Sequence, residues 1–360
     1  MTDFFKQDHL SAFDAKSAAQ RIAFAPVTFQ ACRILRDRGI LELVQKSGAA
    51  GMTLDEIAAK ISLPRYGIKV LLEAGLGIGL FCLNENQNEN RFTLTKLGYF
   101  MFRDEMTHVN MDVVHDICYR GLFDLDKSIE QGKPVGLKTL GDWKTFYEGL
   151  SSLPPHARDS WLRFDHFYSD AAFPDALKIV FADKPKRLLD VGGNTGKWAV
   201  ACAKFDADVK ITIADLPQQL ELARENVRKK NLENRVDFFA TDLLDESKPL
   251  PGNYDALWMS QFLDCFSEKE IISILKRAAK SMNAGSTLYI LELFWDRQPN
   301  ETAAFCLQQT SLYFTCIANG NSQMYHSSDL LRCIAESGLK VIEDRDQVGL
   351  YHTLLKCRKS

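Results

Sequence analysis

The run from Arg187 to Gly196, Arg-Leu-Leu-Asp-Val-Gly-Gly-Asn-Thr-Gly, constrains this chain more than any other stretch. Leu188, Leu189 and Val191 read as a buried strand, Gly192 and Gly193 break it, and a helical pattern follows over 197–205. Glycine takes positive φ without a Cβ penalty, so the chain can turn sharply there and let a ligand lie against the backbone. The N–H groups of the following helix then face that ligand. A dinucleotide fingerprint needs G-x-G-x-x-G. Counted from Gly192, Asn194 and Lys197 hold the second and third glycine positions, which disfavours NAD. Counted from Asp190, the pattern is D-x-G-x-N-x-G. Asn tolerates positive φ best after glycine, so Asn194 preserves the turn while adding a side chain near the ligand.

Three further apolar runs end in polar residues. Residues 209–214 lead to Asp215-Leu216-Pro217, 236–240 to Thr241-Asp242-Leu243, and 254–259 to Ser260. Helical patterns separate the runs, which implies a parallel sheet with crossover helices and a ligand at the carboxyl ends of its strands. Asp215, about 20 residues beyond the glycine turn, is spaced to accept ribose hydroxyls. An isolated Asp at such a place is more often a helix cap, but four strand ends in succession (Asp190, Asp215, Asp242, Ser260) argue for a site. Downstream, 271–282 reads as a helix, 287–293 as a strand, 328–337 as a helix, and 339–343 and 350–356 as the last two strands.

A chain of 360 residues suggests two domains. With 46% apolar and 25% charged residues it is globular, and a net charge of −3 gives no general polyanion affinity. Nine cysteines without CxxC pairs argue against a zinc site or disulfide framework; no metal is expected and a reducing cytoplasm fits. The start, Met1 to Lys6, has no basic stretch leading into an apolar one, and no apolar run reaches the roughly 20 residues of a membrane helix. Neither signal peptide nor membrane anchor is expected.

Residues 1–110 read as mostly helical. Thr53 and Glu56 form a capping-box pattern, a second helix starts after Pro64, and 78–83 and 91–95 flank the polar loop 84–90 as a hairpin. Two short helices and a hairpin make a winged helix. Its second helix offers only Arg65 and Lys69 against Glu73, too weak a basic face for a major-groove reader. Phe13, Ile22, Phe24, Val27 and Phe29 before it, and Tyr99, Phe100, Met101 and Phe102 after it, exceed what one small core can bury. They suggest a partner subunit and a homodimer. Residues 111–175 read as linker helices and 176–360 as the α/β Rossmann-like domain.

Asp190-Val191-Gly192-Gly193, Asp215-Leu216-Pro217, Asp242-Leu243 and 254–257, behind a winged helix, resemble the class I S-adenosylmethionine-dependent methyltransferases. Within that class they resemble the small-molecule O-methyltransferases of the plant caffeate and hydroxyindole type and their bacterial natural-product relatives. The resemblance implies a parallel sheet with a reversed last strand, S-adenosyl-L-methionine as cofactor, and a small hydrophobic, aromatic hydroxyl compound as acceptor. It implies cofactor contacts at Gly192, Gly193, Asn194, Gly196, Asp215, Leu216, Asp242, Leu243 and Ser260. The run 164–169 is similar to the family's F-x-x-x-M-S, which covers the methionine end; Tyr168 stands where Met is usual, and Ser169 can bind the carboxylate. Phe167, Tyr313, Phe314 and His326 are expected around the acceptor, with Phe305, Leu312 and Trp143 as further candidates.

Methyl transfer to oxygen requires the acceptor proton to leave. The family removes it with a His after the fourth strand. In the matching stretch 263–268, Asp264 replaces that His, and Glu292 matches the acid that orients it. Three accounts follow: Asp264 is the base, with its pKa raised by an apolar pocket; another group such as His326 or His166 serves; or the acceptor ionises readily, or receives the methyl on carbon or nitrogen. The non-chemical reading of Asp264 is a helix N-cap before Glu268. Two other functions stay open, a winged-helix ligand-sensing regulator and a cofactor-binding protein that has lost catalysis.

Overall fold

In a computed structural model, residues 5–86 and 89–360 are described. Part of the N-terminal stretch 1–6 and the centre of the 84–90 loop lie outside them. The described residues separate into two compact units, 7–114 and 115–360, the second including residues 5–6.

The N-terminal unit contains helices α1 (Ala12–Ala23), α2 (Ala25–Asp37), α3 (Ile40–Lys46), α4 (Leu54–Ala58) and α5 (Arg65–Ile78), the antiparallel strands β1 (Phe81–Asn86) and β2 (Glu89–Leu94), then α6 (Lys96–Arg103) and α7 (Glu105–Val113). Thr53 and Glu56 close the capping box that starts α4. Leu35, Ile40, Leu41, Val44, Ile57, Ile68, Leu72 and Leu80 are fully buried in one core. Phe13, Ile22, Phe24, Val27, Tyr99 and Phe100 remain exposed, whereas Phe29, Met101 and Phe102 pack against that core. The sequence pattern overcounted the exposed set because helical periodicity alone does not tell which face the hairpin and α5 cover. The basic residues of α5 are neutralised nearby: Arg65 pairs with Asp55 at 2.6 Å and Lys69 with Glu73 at 3.7 Å.

The larger unit begins with α8 (Leu125–Gln131), α9 (Phe146–Gly149) and the long α10 (Pro155–Ala182). Then β3 (Arg187–Val191), α11 (Lys197–Phe205), β4 (Lys210–Asp215), α12 (Pro217–Arg228), β5 (Val236–Ala240), β6 (Ala256–Ser260), α13 (Glu268–Ser281), β7 (Thr287–Glu292), α14 (Glu301–Tyr313), α15 (Ser327–Glu336), β8 (Leu339–Val348) and β9 (His352–Lys359) follow. The seven strands lie in the order β5-β4-β3-β6-β7-β9-β8, with β9 antiparallel to both neighbours. The central strands are apolar on both faces, as strands covered by helices on both sides must be. Leu189, Val191, Leu257, Met259, Leu288 and Ile290 share a core with α13 and α15. Leu188, Trp258, Tyr289 and Leu291 share one with α10, α11 and α12. Trp198 of α11 stacks on Trp258 at 4.1 Å. Strand order reverses between β3 and β6, and a cleft opens beyond their carboxyl ends, where doubly wound sheets bind ligands. Among the described residues, no helix is long and apolar enough to cross a membrane.

Candidate active site

The glycine turn does what its sequence predicts. Gly192 has φ 72°, Asn194 φ 48° and Gly196 φ 75°, and Gly196 starts α11. A Cβ at Gly193 would lie 2.6 Å from Asp190 Oδ2 and 2.8 Å from Ile213, so the strand and the turn approach more closely than any side chain permits. Asp215 at the end of β4 ties the turn down: Oδ2 accepts the Asn194 N–H at 2.8 Å and Oδ1 the Leu216 N–H at 2.7 Å. Burial still raises the Asp215 carboxyl to about 6, those two bonds notwithstanding.

Two adjoining cavities lie above the sheet. The larger, with about 1080 Å³ of empty space counting its open mouth, is walled by Asp215, Leu216, Thr241, Asp242 and Leu243 on one side. On the other stand Tyr147, Leu150, Trp161, Cys265, Phe266 and Asn319. The smaller touches Ser169, Asp190, Gly193, Trp198 and Ser260. Asp165, Gly192, Asn194 and Gln261 line both. Among the described residues, six of the ten buried side-chain atoms that lack a hydrogen-bond partner lie here: His166 Nδ1, Asp190 Oδ2, Asn194 Oδ1, Trp198 Nε1, Thr241 Oγ1 and Ser260 Oγ. An unsatisfied buried polar atom costs about 1–3 kcal/mol, so a cluster of them marks a place built for a polar ligand.

Asp190 is the extreme case. Burial, with Asp215 beside it, pushes its carboxyl up to about 8. A carboxyl raised in the folded state favours folding fully only below its unfolded pKa of about 4, and that contribution fades as pH rises through about 8. Asp190→Asn is therefore expected to raise the melting temperature of the ligand-free protein by a few degrees at pH 8–9 and to leave it unchanged near pH 4. Thermal melts across that range test this; a difference independent of pH would reject it.

The turn after β6 holds the position of Asp264. Gln261 adopts φ 44°, and its side chain meets the buried His352 Nε2 at 3.1 Å. Glu292 Oε1 accepts the N–H groups of Phe262 and Leu263 at 3.0 and 2.8 Å. Glu292 and Asp264 are both buried, and burial raises both carboxyls, Glu292 further because Asp264 is near. Asp264 does not reach a cavity wall; Cys265, next to it, does. Nor is Asp264 a helix cap: Ser267 caps α13 and Glu270 closes the capping box.

Of the residues expected at the cofactor, Gly192, Asn194, Asp215, Leu216, Asp242 and Leu243 line the large cavity and Gly193, Ser260 and Ser169 the small one. Tyr168 lines neither and packs edge-on to Phe164 and Phe167; Gly196 lines neither and shapes the turn. The residues expected around the acceptor need correction. His326 stands at the start of α15, where it accepts the Ser328 N–H and lies 3.6 Å from Asp296, away from either cavity. Phe167 is not a wall residue, and Phe305 is exposed. Tyr313 and Phe314 are buried one layer behind the wall, where the Tyr313 hydroxyl accepts the Trp161 Nε1–H at 3.1 Å. Helical spacing marks an inward face but not its depth, which explains the shift from Tyr313 to Trp161. Sequence reasoning missed Trp161, Tyr147, Gln261 and Asn319 altogether, since none sits in a motif. Asp165 lies inside a motif whose pattern assigns it no role.

A Rossmann-like sheet, an acid-tipped glycine turn and a row of polar strand ends define a site of the nucleoside-cofactor class. Residues 16–92 match the Dimerisation2-like domain and residues 171–333 the O-methyltransferase domain, and the chain belongs to the S-adenosylmethionine-dependent methyltransferases of this two-domain build. It is similar to the L-tyrosine C(3)-methyltransferase of Streptomyces lavendulae, at 19% identity over 88% of this chain and 85% of the relative. It is also similar to the cephaeline 6'-O-methyltransferase of Carapichea ipecacuanha, at 25% identity over 77% of each. Its fold matches an O-methyltransferase from neocarzinostatin biosynthesis in complex with S-adenosylmethionine and 2-hydroxy-5-methyl naphthoic acid. That match has a TM-score of 0.69 and 19% identity, over 92% of this chain and 96% of the other.

Proposed function

We propose that the protein methylates a hydroxyl of a small, largely apolar aromatic metabolite. The observation that carries this reading is that a cluster of unpartnered polar atoms borders a cavity also lined by Trp161, Tyr147, Leu150 and Phe266. S-adenosylmethionine, when bound, supplies an electrophilic methyl group on a sulfonium. The residues present fit it. Asp215 would take the ribose hydroxyls, Asp242 the adenine amine, and Leu216 and Leu243 the faces of the base. Gly193, Ser260 and Ser169 border the cavity suited to its amino-acid end. The aromatic lobe would hold the acceptor ring flat and dry, leaving the positioning of its oxygen to the polar groups between the two cavities.

The relatives include enzymes named for carbon as well as oxygen transfer, so the product decides between them. With isotope-labelled cofactor and a panel of phenols, methyl ethers are expected by mass spectrometry and NMR. Ring-methylated products, or no turnover across the panel, would reject the proposal. Asp215→Ala is expected to weaken S-adenosylhomocysteine binding by about 10²-fold in calorimetry, since it removes charge-assisted bonds and the anchor of the Asn194 turn. Unchanged affinity would remove Asp215 from the site.

The exposed Phe13, Ile22, Phe24 and Val27 support a homodimer formed through the N-terminal unit. Sedimentation should give a dimer; a monomer at micromolar concentration would reject it. All nine cysteines are free, which supports a reducing, cytoplasmic setting. Nothing favours the DNA-reading alternative, whose two candidate bases are already paired with acids.

A further inference from the structure

We infer that Asp165, rather than Asp264 at the family's histidine position, receives the proton of the acceptor hydroxyl. The inference rests on the O-methylation proposed above.

Among the described residues no histidine lines the large cavity, His166 bordering only the smaller one, and the carboxylates of the large cavity are Asp165, Asp215, Asp242 and Glu270. Three of these are committed elsewhere. Asp215 engages both oxygens with backbone N–H groups. Asp242, exposed beyond the end of β5, accepts the Leu244 N–H at 2.9 Å. Glu270 closes the capping box on Ser267. The Tyr147 hydroxyl donates to Cys265 Sγ at 3.0 Å, and burial pushes both groups well above their ordinary values, so neither ionises at neutral pH.

Asp165 is different. It follows Trp161 by one turn of α10 and lies on the seam shared by both cavities, beside Gly192 and Asn194. Its Oδ2 accepts from Asn194 Nδ2 at 3.1 Å, Oδ1 has no partner among the described residues, and the side chain keeps 23% of its exposure. The charged groups around it are Asp170 of its own helix, Asp264 from the turn after β6, and Lys197 of α11. His166 Nδ1 stands 3.8 Å from Oδ2, but burial lowers that ring to about 4 and it adds no charge at neutral pH. Burial first, then Asp264 and Asp170, raise the Asp165 carboxyl; Asn194 and Lys197 hold it back, to about 7. A base poised near the working pH transfers protons most effectively.

The balance is simple. The acceptor oxygen bonds to the methyl carbon as the carbon–sulfur bond breaks, its pair remaining on sulfur. The hydroxyl proton passes to Asp165, which returns it to solvent. The Asp264 charge adds to the burial that raises the Asp165 carboxyl.

The test compares full-length wild type, D165N, D165E and D264N on a weakly acidic phenol and on a nitrophenol already ionised at the assay pH. D165N is expected to lose about 10²–10³-fold in kcat on the first and little on the second. Because the base works only when ionised, wild-type kcat should fall as pH drops through about 7; this limb should vanish in D165N and shift in D165E. With S-adenosylhomocysteine bound and no turnover, infrared difference spectra should show a protonated-carboxyl band titrating near pH 7 that D165N lacks. Retained S-adenosylhomocysteine affinity certifies folding, and if D165N does not fold, the shifted limb of D165E decides. Equal losses on both phenols with the acid limb intact, or a selective loss in D264N instead, would overturn the assignment. Wild type that methylates neither phenol would overturn the O-methylation proposal, and this inference with it.

Discussion

Gly192→Ala is expected to abolish measurable cofactor binding and to lower the melting temperature by several degrees. Two independent effects combine at this residue. Its φ of 72° costs an L side chain about 1–2 kcal/mol. The new Cβ would also overlap the ring of Phe262, which is a wall of the large cavity. Overpacking of that kind costs about 1–3 kcal/mol, and here the displaced ring is itself part of the cavity wall. Phe262 cannot retreat with its backbone, because Glu292 holds its N–H and that of Leu263. Calorimetry with S-adenosylhomocysteine and thermal melts give the two readouts. Gly285→Ala is the control, since its new Cβ would meet nothing within 4 Å and its φ is not positive, and it should change neither. Binding within threefold of wild type would show that the turn tolerates a side chain and that its glycine is not required.

Arg277→Leu should cost about 2–4 kcal/mol of stability and weaken cofactor binding by about tenfold, although the residue lines neither cavity of the site. Arg277 lies on α13 and is 8% exposed. Its guanidinium donates to the carbonyls of Leu243, Asp245 and Lys248, with Asp245 and Lys248 each at 3.1 Å, and so pins the loop that carries Leu243 and Leu244 to the cavity wall. Leucine would occupy only part of the space and leave those carbonyls without donors, the costly half of losing a hydrogen bond. Lysine reaches fewer of them from one point charge and should fall between the two. Denaturant unfolding and cofactor titration check this; stability within about 0.5 kcal/mol of wild type would mean that water replaces the guanidinium at no cost.

Arg277 also shows what a linear reading overlooks. On α13 the apolar residues Ile271, Ile274, Leu275 and Ala278 mark the buried face, and an arginine at 277 reads as a solvent residue beside it. Only the folded loop 243–248, arriving from another part of the chain, supplies the acceptors that keep it inside. The same contrast runs through the site. Strand and turn residues that act through their own backbone, such as Gly192 and Asn194, were legible because spacing along the chain sets their geometry. So was Asp215, whose place at a strand tip follows from the alternation of strands and helices. Asp264 was legible as a position but not as a role, because the direction of its side chain depends on the unusual φ of Gln261 and on the grip of Glu292 from the neighbouring strand.

The acceptor side was the least legible. Tyr313 was expected at the wall and stands behind it, where its hydroxyl accepts from Trp161. Asp165 and Asn194 are 29 residues apart and meet only because α10 and the glycine turn converge on the seam between the cavities. The sequence by itself determined the sheet, its glycine turn and the acids at the strand tips, because these follow from local periodicity and backbone sterics. Which carboxylate faces the reaction space was decided only by tertiary packing, since burial, neighbouring charge and side-chain direction are set by elements far apart in the chain.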